Sequence, residues 1–227
     1  MAKGNRGGRR TTTTPIGSST GPVSYGQFTD NDATQLRNDV DDRYDANVVD
    51  AINDYISSQA IKNGYSASQM LNYALDNDKP LDATGKFIMK HMQKGMAPIG
   101  KDITMTRACH DDVLQALGIK DYTKLSEAQL QKKLINTQFQ SKAFMSFSYD
   151  KKKNPFLTGP NAGGREVIIE AKTGKNTNVV FGDKSQAELI TNIGQKWNIT
   201  GVRYSGTTAT PRNGSPKKQI IIEVETI

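Results

Sequence analysis

The sequence lacks most of what would mark a disulfide scaffold, a membrane protein or a Rossmann-type nucleotide binder. It contains one cysteine, Cys109, in 227 residues. A lone thiol forms no disulfide framework and supplies no cysteine cluster for a metal, so the chain suits a reducing compartment and no metal is expected. Only His110 lies beside Cys109, and without a second catalytic partner the thiol reads as a small buried hydrophobe. No apolar run is long enough to span a bilayer, so no membrane is expected as a partner. There is no G-x-G-x-x-G following a strand, so a dinucleotide would not be held in the Rossmann manner. Internal repeats and heptads are also missing.

The charges that are present are unevenly placed. The formal net charge is +7. Residues 1–27 carry Lys3, Arg6, Arg9 and Arg10 with no acid, residues 28–100 are rich in aspartate, and the remainder turns basic again. The opening segment has no apolar stretch after its basic residues and so is no secretory signal, which makes a cytoplasmic location the expectation. Its Gly, Ser and Thr content cannot bury enough surface to fold alone, so residues 1–28 are expected to be a disordered basic tail. Four charges read as a solvated segment, with an arm that contacts nucleic acid as the alternative.

Residues 29–135 read as mainly helical. Ala46, Val48, Val49, Ile52, Tyr55, Ile56 and Ala60 recur at helical spacing. Ser66 with Gln69, and Ser126 with Gln129, fit the capping box that satisfies free N–H groups at a helix start. Further helical pieces fall near Phe87–Gln93 and Asp111–Leu117. In residues 136–227 the period changes. AFMSFS, REVIIEA, NVVF, AELITNI, WNITGVRY and QIIIEVET are short β-rich runs separated by Gly, Pro, Asn and Lys. Helices first and strands afterwards predict an α+β protein, a helical N-terminal lobe packed on a mostly antiparallel two-sheet β core, with residues 29–227 as one domain. The polar stretch 150–164 is a long loop between strands, a length that in a compact domain is often functional.

Three features follow one another in order: Arg107 in ITMTRAC, Ser146-Phe147-Ser148 in AFMSFS, and Gln186-Ala187-Glu188 in KSQAELI. Here the chain resembles the exoenzyme family of mono-ADP-ribosyltransferases. That family includes the Rho-modifying clostridial exoenzymes, the vegetative insecticidal binary toxins and phage-encoded relatives. Its pattern is an Arg on the first core strand, then Ser-Thr-Ser, then Gln/Glu-x-Glu opening a later strand. Tyr65 with Leu71-Asn72-Tyr73-Ala74-Leu75 is similar to the family's helix with tyrosine, Ile-Asn and Leu-Arg. The stretch Leu189–Ile199 is similar to its strand, glycine turn and strand. The resemblance covers residues 45–227. Two positions depart from it. Phe147 replaces the middle threonine, which strand alternation turns away from the serines. Asp76 replaces the arginine after Leu75, removing one phosphate contact the family would lead one to expect.

The resemblance implies an enzyme that cleaves NAD at its nicotinamide–ribose bond and passes ADP-ribose to an acceptor, with NAD as substrate and no metal. Positive charge develops on the ribose as that bond breaks, so a fixed carboxylate nearby stabilises the transition state. Glu188 takes that role by resemblance, with Ser146 orienting it from a neighbouring strand. Arg107 would grip the pyrophosphate with its planar, paired donors. Ser148, Asn72 and Phe156 are the other residues expected to contact NAD. Gln186, read as lying on the same strand face as Glu188, would position the acceptor.

Other features read as ordinary structure. Glu223-Val224-Glu225 also spells Glu-x-Glu but ends the last strand, so it reads as a solvated face. Trp197 and Phe181 read as core and loop packing, and Lys151, Lys152 and Lys153 as a solvated run. The resemblance implies a macromolecular acceptor, a protein side chain because most of the family modifies proteins. It is one other than arginine, because the family's arginine-modifying form carries Glu, not an uncharged Gln, at the position of Gln186. RNA or DNA modification, an NAD glycohydrolase, and a non-catalytic phage structural or nucleic-acid-binding protein are the alternatives.

Overall fold

The computed structural model describes residues 26–43, 45–158, 162–211 and 214–227. The chain begins with helices α1 (Asp30–Arg43) and α2 (Ala46–Ile56), the hairpin β1 (Ala60–Lys62) and β2 (Tyr65–Ser66), then α3 (Ala67–Asp76) and α4 (Ala83–Gly95). Strands β3 (Ala97–Pro98) and β4 (Ile103–Cys109) precede α5 (Asp112–Ala116) and α6 (Glu127–Leu134). The second half holds β5 (Gln138–Gln140), β6 (Met145–Ser148), α7 (Pro155–Thr158), β7 (Val167–Thr173), β8 (Asn178–Phe181), β9 (Glu188–Thr191), β10 (Lys196–Ala209) and β11 (Lys217–Thr226). All six β-rich runs seen in the sequence are strands, and the architecture is the α+β one expected.

Local chemistry accounts for many of the boundaries. Both expected capping boxes form, Ser66 with Gln69 and Ser126 with Gln129. Helix α2 buries Val48, Ala51, Ile52 and Tyr55, the stripe its periodicity indicates. It ends at Ile56, however, and Ala60 belongs to β1 instead. The reason is the turn that follows. Asn63 and Gly64 both take positive φ, +52° and +81°, which is the two-residue geometry that matches strand twist. Strand β4 likewise interrupts the stretch read as helical.

The main sheet has nine strands in the order β3-β8-β9-β6-β4-β7-β11-β10-β5. Every neighbouring pair is antiparallel except β7 and β11. The two-sheet core expected from the sequence takes the form of two wings joined at one seam. β4 and β6 are paired only at Thr106 and Ser148, whereas β4 pairs with β7 along its whole length. Phe147 of one wing packs on Trp197 of the other, ring centroids 5.4 Å apart, inside a core that draws buried residues from both. On β8 and β9, Val180 and Ile190 belong instead to a second core with α2, α3 and α4. These strands are therefore buried on both faces, which is why Val179-Val180-Phe181 and Leu189-Ile190 are apolar without alternation.

The tail expectation needs a boundary correction. Residues 1–25 lie outside the described residues. Gly26, however, bridges to Ile103 and donates its amide to the Asp102 carbonyl at 2.8 Å. Phe28 is buried, stacked edge-on against Tyr149 at 5.1 Å. An aromatic ring that fills a core site outweighs the polar composition around it. Among the described residues, no helix is long and apolar enough to cross a membrane.

Candidate active site

A cavity of about 870 Å³ is lined by both strands of the seam, by α3, α5 and α7, and by Gln186 and Glu188. That volume falls in the range of ligand pockets, ~300–1,000 Å³. The seam explains its position. With β4 and β6 paired at a single register position, the wings diverge and leave space that side chains do not fill.

Glu188 opens β9 opposite Ser148 on β6. Its Oε2 accepts the Asp183 amide at 2.9 Å, and its own amide donates to the Asp183 carbonyl at 3.0 Å. Burial pushes the carboxyl above the ordinary glutamate range, while the Asp183 amide and the Ser146 hydroxyl pull it back. Gly182 makes room for this arrangement, since a Cβ at that position would run into the Glu188 carboxylate.

The Ser146 hydroxyl lies near enough to the Glu188 carboxylate and the Tyr55 hydroxyl to favour the ionised form of each. The Ser146 carbonyl accepts from an Nη of Arg107 at 3.0 Å. Arg107 thus lies across the seam from Glu188, close enough to act electrostatically on Glu188, Tyr55 and Asp76. Phe147 points the other way, into the inter-wing core, as alternation on the strand requires.

Asn72 donates its Nδ2 to the Tyr55 hydroxyl at 2.9 Å, while its Oδ1 is buried on the cavity wall without a partner. Phe156 sits in the short helix α7, with the Arg165 guanidinium 4.5 Å above its ring. The loop 150–164 therefore presents an aromatic ring to the cavity on a short ordered helix, with the Arg165 cation over it. Residues 159–161 of the loop lie outside the described residues.

Two of the expected placements are corrected. Gln186 is not on the strand face with Glu188. It closes a 3-10 turn, Lys184–Gln186, and Ala187 then adopts a left-handed conformation at φ +50°, so the extended alternation starts only at Glu188. Ser148 lines the cavity but is buried. Its hydroxyl lies 2.7 Å from the Gln186 carbonyl and 2.8 Å from that of Asp150, so it fastens the turn to β6.

The structure also shifts one part of the resemblance. Tyr65 is 58 % exposed at the edge of the hairpin, whereas Tyr55 is 3 % exposed, accepts from Asn72 and donates to the Phe144 carbonyl beside Ser146. Burial raises the Tyr55 hydroxyl to about 12, so it stays protonated and donates. In the sequence Tyr55 is hidden within an apolar stripe. The available signal was that a buried tyrosine hydroxyl needs a polar partner. Arg165 and Asp183 were also missed, and the Asp183-x-Ser185 spacing that gives an Asx turn was the sign of the latter.

The features read as ordinary structure keep that character. Trp197 and Phe181 are buried core residues. Lys151 and Lys152 are exposed, Lys151 pairing with Glu170 at the surface, while the half-buried Lys153 pairs with Asp30. Cys109 lies on the cavity wall, and burial pushes its thiol up to about 11, far from a nucleophilic thiolate. Among the described residues no group of three or more His, Cys, Asp or Glu side chains is arranged to hold a metal ion.

No protein-family model and no curated protein sequence matches the chain. Solved structures do. The crystal structure of the Clostridium limosum C3 exoenzyme matches with a TM-score of 0.64 at 16% identity, over 90% of this chain and 98% of that one. Plx2a, an ADP-ribosyltransferase toxin from Paenibacillus larvae, matches with a TM-score of 0.64 at 13% identity, over 86% of this chain and 92% of that one. C3stau2 from S. aureus with NAD matches with a TM-score of 0.61 at 16% identity, over 90% of this chain and 99% of that one. The chain has the fold of the ADP-ribosyltransferase toxins.

Proposed function

We propose that the protein is an NAD-dependent mono-ADP-ribosyltransferase that uses Glu188 as its electrostatic catalytic residue and a protein side chain as acceptor. The observation that carries this reading is the setting of Glu188. It is a largely buried carboxylate that no lysine or arginine among the described residues neutralises directly, held by a backbone amide next to a serine hydroxyl and a cavity of ligand size. A structural glutamate in such a place would be expected to take an ion-pair partner. One left without a direct partner is available to a positive charge that arises only during reaction.

The residues present suit NAD. Arg107 and Arg165 bring two guanidinium groups to one cavity, which fits a pyrophosphate and offsets the arginine replaced by Asp76. The unpartnered Asn72 Oδ1 is an acceptor for an amide or a hydroxyl, and the Phe156 ring offers a stacking face. Bound there, NAD supplies an ADP-ribosyl group activated by its nicotinamide leaving group. Glu188 stabilises the charge that develops on the ribose, Ser146 and Asp183 keep its carboxylate in position, and Tyr55 with Asn72 braces Ser146. Gln186, at the lip of the cavity, meets the acceptor.

The test is direct. The purified chain, incubated with NAD labelled in its adenylate portion and a cell lysate, is expected to release nicotinamide and to leave label on protein. Titration calorimetry is expected to show NAD binding weakened by Arg107→Lys, which keeps the charge but loses the paired donors. Absence of NAD turnover by the wild type, or unchanged affinity in the variant, would count against the reading.

A further inference from the structure

Beyond the Glu188 machinery, Glu166, His110 and Arg165 form a chain that ends in the cavity. Cys109 of β4 is paired with Val167 of β7, and one further step of that antiparallel register sets His110 opposite Glu166, with Arg165 next to it. The Glu166 side chain is 4 % exposed, and its Oε2 lies 2.9 Å from His110 Nδ1. On the other side of the ring, His110 Nε2 contacts an Nη of Arg165. A guanidinium has only N–H groups to offer, so Nε2 is the acceptor. An imidazole that accepts at Nε2 carries its hydrogen on Nδ1, which therefore donates to Glu166. The two neighbours fix the tautomer between them. Gln219, itself buried, holds the backbone of the arginine by donating Nε2 to the Arg165 carbonyl at 2.9 Å, and its Oε1 accepts from the Thr207 hydroxyl at 3.0 Å. The Phe156 ring lies under the guanidinium. Both His110 and Arg165 line the cavity.

Among the described residues, no Asp or Glu side chain contacts Arg165 directly. Lys217, the other cation beside Glu166, pairs with Asp111 at 2.6 Å and stays 3.9 Å from Glu166 Oε1. An arginine next to a buried acid would ordinarily meet it as a fork, and its charge and paired donors would then be used inside the protein. The interposed imidazole anchors one N–H of Arg165 and leaves its charge and remaining donors to a ligand. We propose that His110, oriented by Glu166, is a positioning residue that presents Arg165, its charge uncompensated, to the pyrophosphate of NAD. The inference rests on the NAD-dependent reading given above. Arg165 touches the dinucleotide, whereas His110 and Glu166 act through it. Without the imidazole the guanidinium keeps only the ring of Phe156. A long side chain must then be ordered at the moment of binding, which weakens binding.

Titration calorimetry of the full chain with NAD tests this as a double-mutant cycle. Arg165→Ala should raise Kd by roughly ten- to a hundredfold, the effect of losing hydrogen bonds to a charged group, and His110→Leu by about tenfold. The doubly substituted chain should bind no more weakly than Arg165→Ala alone, within about twofold, because His110 acts only through the guanidinium. His110→Leu leaves the buried Glu166 without its partner, so His110→Gln is measured beside it. Its amide oxygen can still accept from Arg165. Kd should then lie only about threefold above that of the wild type, and this effect too should vanish in the Arg165→Ala background. Glu166→Gln can face Nδ1 with either end of its amide, which frees the tautomer, and should likewise weaken binding about threefold. A purely structural role would lower the unfolding midpoint of these variants and leave the Kd of the folded protein where it was. Losses that add to that of Arg165→Ala would show that His110 meets NAD by itself, which overturns the positioning role. An affinity unmoved by His110→Leu or by Arg165→Ala overturns it as well, while leaving the transferase reading intact. A wild type that does not bind NAD removes that reading itself.

Discussion

The chain spells a glutamate two residues after a polar partner twice, at Gln186–Glu188 and at Glu223–Glu225, and the fold gives the two places opposite physics. Glu223 lies on β11 beside Arg203, which it contacts directly, and Arg203 also binds Glu170 at 2.7 Å. Lys151 extends this group to four charges on one partly exposed sheet face. Glu170 and Glu223 each already have a countercharge there. Glu188 has none in direct contact among the described residues, is largely buried, and faces a cavity. The same residue type is satisfied in one place and left available in the other, and that availability marks the reactive site. Motif spelling alone does not separate the two. The glycine before the turn, the left-handed Ala187 and the seam between the wings do.

The strongest way to break this comparison is to neutralise each glutamate in turn. Glu188→Gln is expected to lower the turnover of labelled NAD by about 10²–10³, roughly 3–4 kcal/mol of transition-state stabilisation. Glu225→Ala should leave turnover near that of the wild type. The reverse pattern would transfer the catalytic role to the terminal strand. The pH dependence sharpens the contrast. Burial holds the Glu188 pKa above its unfolded value, so the fold favours the protonated form. The stability this group contributes is fully present below the unfolded pKa and is lost as pH rises through the folded one. Activity, which needs the carboxylate, climbs over that same window. Wild-type turnover should thus show an acid limb above the ~4.3 of a free glutamate. The accompanying fall in stability should be absent from Glu188→Gln when unfolding is followed against pH.

An intermediate effect is expected from the residue that makes room for Glu188. Gly182→Ala places a methyl group against the carboxylate, and the neighbour it meets is an anchored side chain bonded to Asp183. Overpacking of this kind costs about 1–3 kcal/mol in stability. Because the displaced group is the reactive one, turnover should fall by more than the loss of folded protein explains. Comparing the denaturant midpoint with turnover on the folded fraction checks this. Equal losses would mean that Gly182 matters only to packing.

How much of this was legible in the sequence depended on the range of the interaction that decides each feature. Capping boxes, the α2 stripe and the six strands are set by neighbours within a few residues, and they stand where the pattern put them. The Asn63-Gly64 hairpin was equally local but was overlooked, because the apolar period appeared to run on through Ala60. Arg107, Ser146 and Glu188 meet at the cavity as the resemblance implied. Tyr55 could not be told from a core tyrosine, because its partner Asn72 and its neighbour Ser146 are brought to it by packing between α2, α3 and β6. The strand placement of Gln186 failed for a different reason. A one-residue left-handed step at Ala187 is invisible to an alternation argument, yet it moves the side chain from a sheet face to a turn. The tail boundary failed at Phe28, where one aromatic ring buried against Tyr149 decided the outcome over its polar neighbours.

The smallest expected effect concerns the other glutamate pair. Arg203→Ala removes the central cation from the group formed by Glu170, Glu223 and Lys151. All four side chains are a quarter to three fifths exposed, so water screens the charges left behind. The loss should be about 0.5–1 kcal/mol, the upper range for exposed pairs, since Arg203 makes two contacts. It should shrink further in high salt. Turnover per folded molecule should not change, because Arg203 and its partners lie outside the cavity lining. Unfolding midpoints at low and high salt, set beside turnover, decide the matter. A salt-independent loss of several kcal/mol would show that this face is held by more than screened ion pairs. A loss of turnover would show that the two glutamate motifs are coupled across the sheet, and the contrast between them would no longer explain which one is reactive.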